Sequence, residues 1–278
     1  MAFIDELSDK LQSAPKWTYI VAIAFLFSLF YVVILYCKDK YEKEPPRKIA
    51  KAFYYGMLAT ILAVIFNTLA LTNLGLTKLQ LIAIGGPIIE EACKGLFVLR
   101  LRDDPEFDGA MDGLLYGGTI GAGFAFIENI SYGLTAYTQF DFTAGVQLTF
   151  IRGLGLVVGH LLFTGYLGSE VGRSKIQGGT WVKGYIVAVT LHSLWNTNAS
   201  YVLENAPMLA VIGIIVLVVS YFKILTRRIR WAYELDQALL YSKGSEEKPF
   251  QKYCIKCGAK VLEGSKFCIK CGTKLLER

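Results

Sequence analysis

Long apolar runs, each closed by a short charged or turn-forming segment, recur along the chain. Seven stand out, at about 17–37, 50–72, 79–100, 110–135, 146–169, 181–202 and 207–224. Stretches of 18 or more largely apolar residues mark transmembrane helices, because about 20 residues at 1.5 Å each are needed to cross the hydrocarbon. The pattern predicts an all-α polytopic membrane protein of about seven transmembrane helices. The third run is the least regular, since Glu90, Glu91 and the Gly85-Gly86-Pro87 break interrupt it. Such breaks are tolerated inside a membrane where neighbouring groups satisfy the freed backbone.

Composition agrees: 54% of residues are hydrophobic and 19% charged, against about 25% charged in soluble domains. The first apolar run is longer than a signal-peptide core and no small-residue cleavage site follows it, so it reads as a retained span behind a leader at 1–16. Basic residues set the orientation. The segment "CKDKYEKEPPRKIAK" carries Lys38, Lys40, Lys43, Arg47, Lys48 and Lys51, and every second segment after it is also basic. Those segments are cytoplasmic on this rule, which puts the protein in the cell membrane with its N-terminus outside and its C-terminus inside. The net charge of +6 is then a topology signal, and nucleic acid is not an expected partner.

The expected domains are the leader, a transmembrane domain at 17–226, a juxtamembrane helix and linker at 227–250, and a cysteine module at 251–278. Trp231 to Tyr241 is amphipathic enough to lie on the membrane surface. The module contains "YCIKCGAKVLEGSKFCIKCGTKL", a near repeat that spaces Cys254, Cys257, Cys268 and Cys271 as two Cys-x2-Cys pairs. Four thiolates in that spacing make a closed structural zinc site. A reducing cytoplasm disfavours disulfides, and so short a module needs the metal to fold. A closed site indicates a partner-binding or regulatory appendage. Cys37 and Cys93 read as ordinary small apolar residues.

Charges inside the spans are few. Glu90 and Glu91 fall in the third, Glu128 in the fourth, and the chain's two histidines, His160 and His192, in the fifth and sixth. Any one of these could be a satisfied packing group; five on four consecutive helices at similar depth suggest a functional site. Glu90 and Lys94, four residues apart, are placed to pair, and His192 and Asn196 can point at one ligand. Asn129 adjoins Glu128, and Gly117, Gly118, Gly121 and Gly123 permit close approach by a neighbouring helix. Arg152 is open between a site role and snorkelling; Asp108 and Asp112 suit helix capping. Three chemistries fit: a carboxylate that activates water while histidine and asparagine hold the oxyanion, a zinc ion on the histidines and a glutamate, or transport.

"EEACK", "FAFIEN" and "HSLWN", with His160 between the last two, match Glu-Glu-x-x-Lys, Phe-x-x-x-Glu-Asn and His-x-x-x-Asn. The succession resembles the PrsW family of intramembrane proteases, relatives of the type II CAAX prenyl endopeptidases and of a scaffold subunit of gamma-secretase. The resemblance covers about residues 38–200. It implies an endopeptidase that cuts membrane-protein substrates such as anti-sigma factors, with Glu90, Glu91 and His160 essential. Where the CAAX enzymes carry a histidine, the second motif here ends in Glu128. The water-activating pair is first Glu90 with His160, then zinc, which would be a second metal site. The rival functions are a non-catalytic scaffold or receptor, whose zinc ribbon meets a protein partner, and, third, a small-solute carrier.

Overall fold

A computed structural model describes residues 15–39 and 43–244 and, in the tail, 252–254, 256–257, 259–261, 268 and 270–273. The leader up to residue 14, loop residues 40–42 and the linker at 245–250 lie outside the described residues. The main helices are α1 (Trp17–Lys38), α2 (Pro46–Asn73), α3 (Gly86–Arg102), α4 (Ala110–Gln139), α5 (Phe142–Gln177), α6 (Val182–Thr197) and α7 (Pro207–Gly244). Among the described residues five are long and apolar enough to cross a membrane: α1, α2, α4, α5 and the Pro207–Ala238 part of α7.

The third and sixth expected spans are composite. Helix α3 has 17 residues and follows a π-helical segment, Leu81–Gly85; α6 has 16 and runs into another, Asn198–Val202. Proline explains the first. In a π segment each N–H bonds the carbonyl five residues back, and Gly86 N–H reaches Leu81 in this way. The next donor would be Pro87, which has none. That frees the carbonyl of Ile82, and Asn196 Nδ2 donates to it at 3.0 Å.

Helices α4 and α5 form the centre. A Cβ on Gly121 would stand 2.1 Å from the carbonyl oxygen of His160, and one on Gly117 2.4 Å from that of Thr164. Only glycine allows this approach, the expected use of small residues between membrane helices. The seam fixes His160 and Thr164 against α4.

The last helix departs from expectation: α7 continues unbroken past residue 226 to Gly244. Its Arg228 is buried, donates to Glu170 Oε1 at 2.6 Å and to Ser169 Oγ at 2.7 Å, and lies 3.5 Å over the Trp231 ring. These contacts hold the segment against α5. Further on, Asp236 accepts the Ala110 and Met111 amides at 2.8 Å each and so caps α4. The sequence suggested Asp108 and Asp112 for capping; Asp112 takes instead the amide of Asp108, at 3.0 Å. Nearby, Tyr116 donates its hydroxyl to Glu44. Burial pushes the Glu44 carboxyl up to about 7, against the opposing effect of that hydrogen bond.

In the tail, β1 (Lys252–Tyr253) pairs antiparallel with β2 (Lys260–Val261), Lys252 opposite Val261.

Candidate active site

Four helices bring their ionisable groups to one buried cluster. Glu91 and Lys94, three residues apart on α3, form an ion pair with no solvent exposure. Sequence spacing suggested Glu90 for that lysine; Glu91 takes it because Lys94 reaches over the Phe124 ring, 4.3 Å from its centroid, toward α5. There Lys94 Nζ is 3.1 Å from His160 Nδ1. Glu91 is fully engaged: Oε1 also accepts from His192 Nδ1 at 2.9 Å, and Oε2 from the Thr164 hydroxyl at 3.0 Å.

Tautomers follow from these partners. Lysine has only donors, so His160 Nδ1 accepts and His160 Nε2 carries the proton, which it donates to Glu128 Oε2 at 2.9 Å. His192 Nδ1 faces a carboxylate and carries its proton there. A neutral His192 then presents Nε2 as an acceptor, 3.6 Å from Glu90 Oε2. The two imidazoles meet edge to face at 4.9 Å. Glu90 differs from Glu91: its Oε1 accepts from Asn67 Nδ2 at 3.4 Å, whereas Oε2 is buried with no hydrogen-bond partner.

On the far side Glu128 pairs with Arg152, Nη2 to Oε2 at 3.3 Å. Arg152 Nε donates to Asn129 Oδ1 at 3.1 Å, and the guanidinium lies 3.8 Å over the Tyr132 ring. The structure thus gathers Glu90, Glu91, Lys94, Glu128, Asn129, His160 and His192. Asn196, placed by sequence beside His192 on a shared ligand, donates to Ile82 instead. Sequence reasoning missed Thr164, one turn after His160, and Asn67, an amide within the apolar run of α2. An open apolar pocket of about 470 Å³ between α2 and α3 is lined by Phe66, Leu69, Ile89, Cys93 and Leu96 among others.

The four tail cysteines also converge, their Sγ atoms all within 4.8 Å of one another. The pairs Cys254–Cys271 and Cys257–Cys268 are 3.6 and 3.5 Å apart, too far for disulfides and close to the ~3.8 Å edge of a tetrahedron with ~2.3 Å Zn–S bonds. Backbone bonds from Cys254 N to Ala259 O and from Cys268 N to Thr273 O, 2.8 Å each, shape the two turns alike.

Fold and site define a polytopic helical membrane protein with a carboxylate–histidine–lysine centre enclosed by its inner helices, followed in the chain by a zinc ribbon. Residues 44–224 match the PrsW family intramembrane metalloproteases, and the chain belongs to that family; residues 253–275 match a zinc-ribbon domain. The chain is similar to the protease PrsW of Bacillus subtilis, 27% identical over 172 residues that cover 60% of this chain and 75% of the relative. It is 30% identical to that of Geobacillus kaustophilus over 142 residues, 50% of this chain and 60% of the relative. With that of Oceanobacillus iheyensis it shares 27% over 198 residues, 66% and 86%. No solved structure matches the chain.

Proposed function

We propose that the chain is an endopeptidase that hydrolyses peptide bonds of other membrane proteins, with Glu90 as the carboxylate that takes a proton from water. One observation carries this: Glu90 Oε2, buried and without a hydrogen-bond partner, faces a second acceptor, His192 Nε2, at 3.6 Å. Two acceptors that face each other need a donor between them. A water can give one proton to each and turn its oxygen toward a substrate carbonyl carbon. Glu91 is unsuited to that task, since Lys94, His192 and Thr164 already use its oxygens. It acts as the anchor that holds Lys94 and His192 in place, and it reaches His160 only through Lys94. Glu128 performs the same service for His160 from the other side.

A metal is the second reading, favoured by proximity: Glu91, His160 and His192 each offer a ligand atom within 4.8 Å of the others. Their types suit zinc, which when bound would lower the pKa of a water. Lys94 weighs against it, being ion-paired to Glu91 and 3.1 Å from His160 Nδ1. A divalent ion there would meet a fixed ammonium at two of its three ligands. The membrane orientation that accompanies the proposal puts the N-terminus outside and the ribbon in the cytoplasm. Impermeant thiol reagents should then reach a cysteine placed near residue 140 and spare one near 175; the reverse pattern overturns that orientation.

The test of function is fragment release in cells that co-express single-span membrane proteins. Glu90→Gln keeps size but loses the basic charge, and cleavage should fall by about 10²–10⁴ at equal protein level. Fragment yield equal to wild type would remove Glu90 from the chemistry. Purified wild type should carry one zinc, and the Cys254→Ser, Cys257→Ser double variant none while it still cleaves. A zinc that persists in that variant, with cleavage abolished by chelator, would establish the second reading.

A further inference from the structure

Hydrolysis of a peptide leaves a negative charge on the carbonyl oxygen, and Glu90 cannot hold it. Donors must. Among the described residues, four of the buried side-chain atoms without a hydrogen-bond partner belong to this one site: the acceptors Glu90 Oε2 and Asn67 Oδ1, and the donors Asn129 Nδ2 and Arg152 Nη2. Buried polar groups are almost always satisfied, so unmatched donors and unmatched acceptors within one ionisable cluster call for an occupant that supplies both.

The two donors are held by each other. Arg152 Nε donates to Asn129 Oδ1 at 3.1 Å, which fixes the amide so that its Nδ2–H₂ faces elsewhere. Asn129 is fully buried. Arg152 is steadied in turn by the Tyr132 ring and by Glu128, whose Oε2 lies 3.3 Å from Nη2 as an ion pair but off the line of a hydrogen bond.

We propose that Asn129 Nδ2 and Arg152 Nη2 form the oxyanion site of the protease, a reading that rests on the proposed peptidase function. The step balances as follows. The water oxygen bonds to the carbonyl carbon, its proton goes to Glu90, and the C=O π pair moves to the oxygen between the amide and the guanidinium. The C–N bond then breaks, and Glu90 returns the proton to the leaving amine. Preorganised donors of this kind are strongest in a site shielded from water. Lysine in place of arginine offers its donors from a single nitrogen, so it cannot keep one nitrogen on Asn129 Oδ1 and aim a second, separately placed one at the oxyanion as the planar fork does.

The experiment compares purified full-length variants on the single-span substrate whose cleavage depends on Glu90. Asn129→Asp is the critical change: it keeps the oxygen that Arg152 Nε holds, and converts that bond to an ion pair, but deletes the Nδ2 donor. It should lower kcat by about 10²–10³, with KM unchanged and the thermal midpoint held or raised. Arg152→Lys should lose a similar factor in kcat. The double variant should be little worse than either alone, since groups that act as a unit are not additive. A purely structural role predicts the opposite for Asn129→Asp, a wild-type kcat. If that variant fails to fold, Arg152→Lys decides, and wild-type kcat there overturns the proposal. Full activity in both variants with an inactive Glu90→Gln removes the oxyanion site and leaves the protease. A wild-type chain that cleaves no membrane protein removes both.

Discussion

Helices α4 and α7 invert what a soluble protein would lead one to expect. The span window of α7 has a mean hydropathy of 2.6 and only 11% of it is buried within the protein; that of α4 has 1.2, and 89% is buried. Water makes apolar residues seek a core, whereas lipid tails are as apolar as leucine and exert no such pressure. The most hydropathic helices therefore face the bilayer. The inner helices carry glycine for close contact and polar groups for chemistry. High hydropathy marks the rim of this molecule and low hydropathy its working centre.

The contrast can be broken at its strongest point by Lys94→Met. That change leaves Glu91 buried without its cation, and loss of one partner of a buried pair costs about 3–5 kcal/mol; unfolding in detergent should show a large drop in midpoint. A midpoint within a degree of wild type would mean that Glu91 is already neutral. Gly121→Ala comes next. Its methyl would press on the His160 carbonyl at 2.1 Å, and overpacking of this kind typically costs about 1–3 kcal/mol, with cleavage reduced because His160 is displaced. A change to alanine on the rim, Ile215→Ala on the exposed face of α7, should fall within about ±0.5 kcal/mol even though it removes more atoms. Equal effects at the two positions would dissolve the distinction between rim and centre.

Glu44 supplies a pH signature. Its carboxyl titrates near 7 when folded and near 4.3 when unfolded. The contribution of this one group is therefore fully present below about pH 4.3 and is lost as pH rises through 7. Glu44→Gln still accepts from Tyr116 and cannot ionise. It should gain on wild type between pH 5 and 8, by about 1–3 kcal/mol at most. A gain that is the same at both ends of that range would assign the effect to packing.

Much of this was readable in the residues. Apolar runs gave the seven helical segments, glycine spacing in "YGGTIGAG" gave the approach of α4, and cysteine spacing gave the ribbon. Pairings across helices were not readable. Glu90 and Glu91 are adjacent and chemically identical; only Thr164 and His192, brought in from α5 and α6, make one an anchor and leave the other with a free oxygen. Asn196 suited a ligand by its spacing from His192, yet the carbonyl that Pro87 strands lies 114 residues away in sequence. The cap of α4 by Asp236 is as distant. Periodicity reports which face a residue occupies and is silent on which neighbour that face meets.

Backbones that touch through glycine cannot be parted a little at a time. No side chains lie between α4 and α5 at Gly113, Gly117 and Gly121 to slide or repack, so any separation breaks the whole line of contact and carries His160 away from Glu128. The pair behaves mechanically as one beam, and its freedom of movement is that of a rigid body. Relative motion within the bundle must then come from the lighter helices packed on it. Of these, α2 and α3 pack on each other through Ala59, Ala63 and Cys93 and share an open apolar pocket of about 470 Å³ at their outer face.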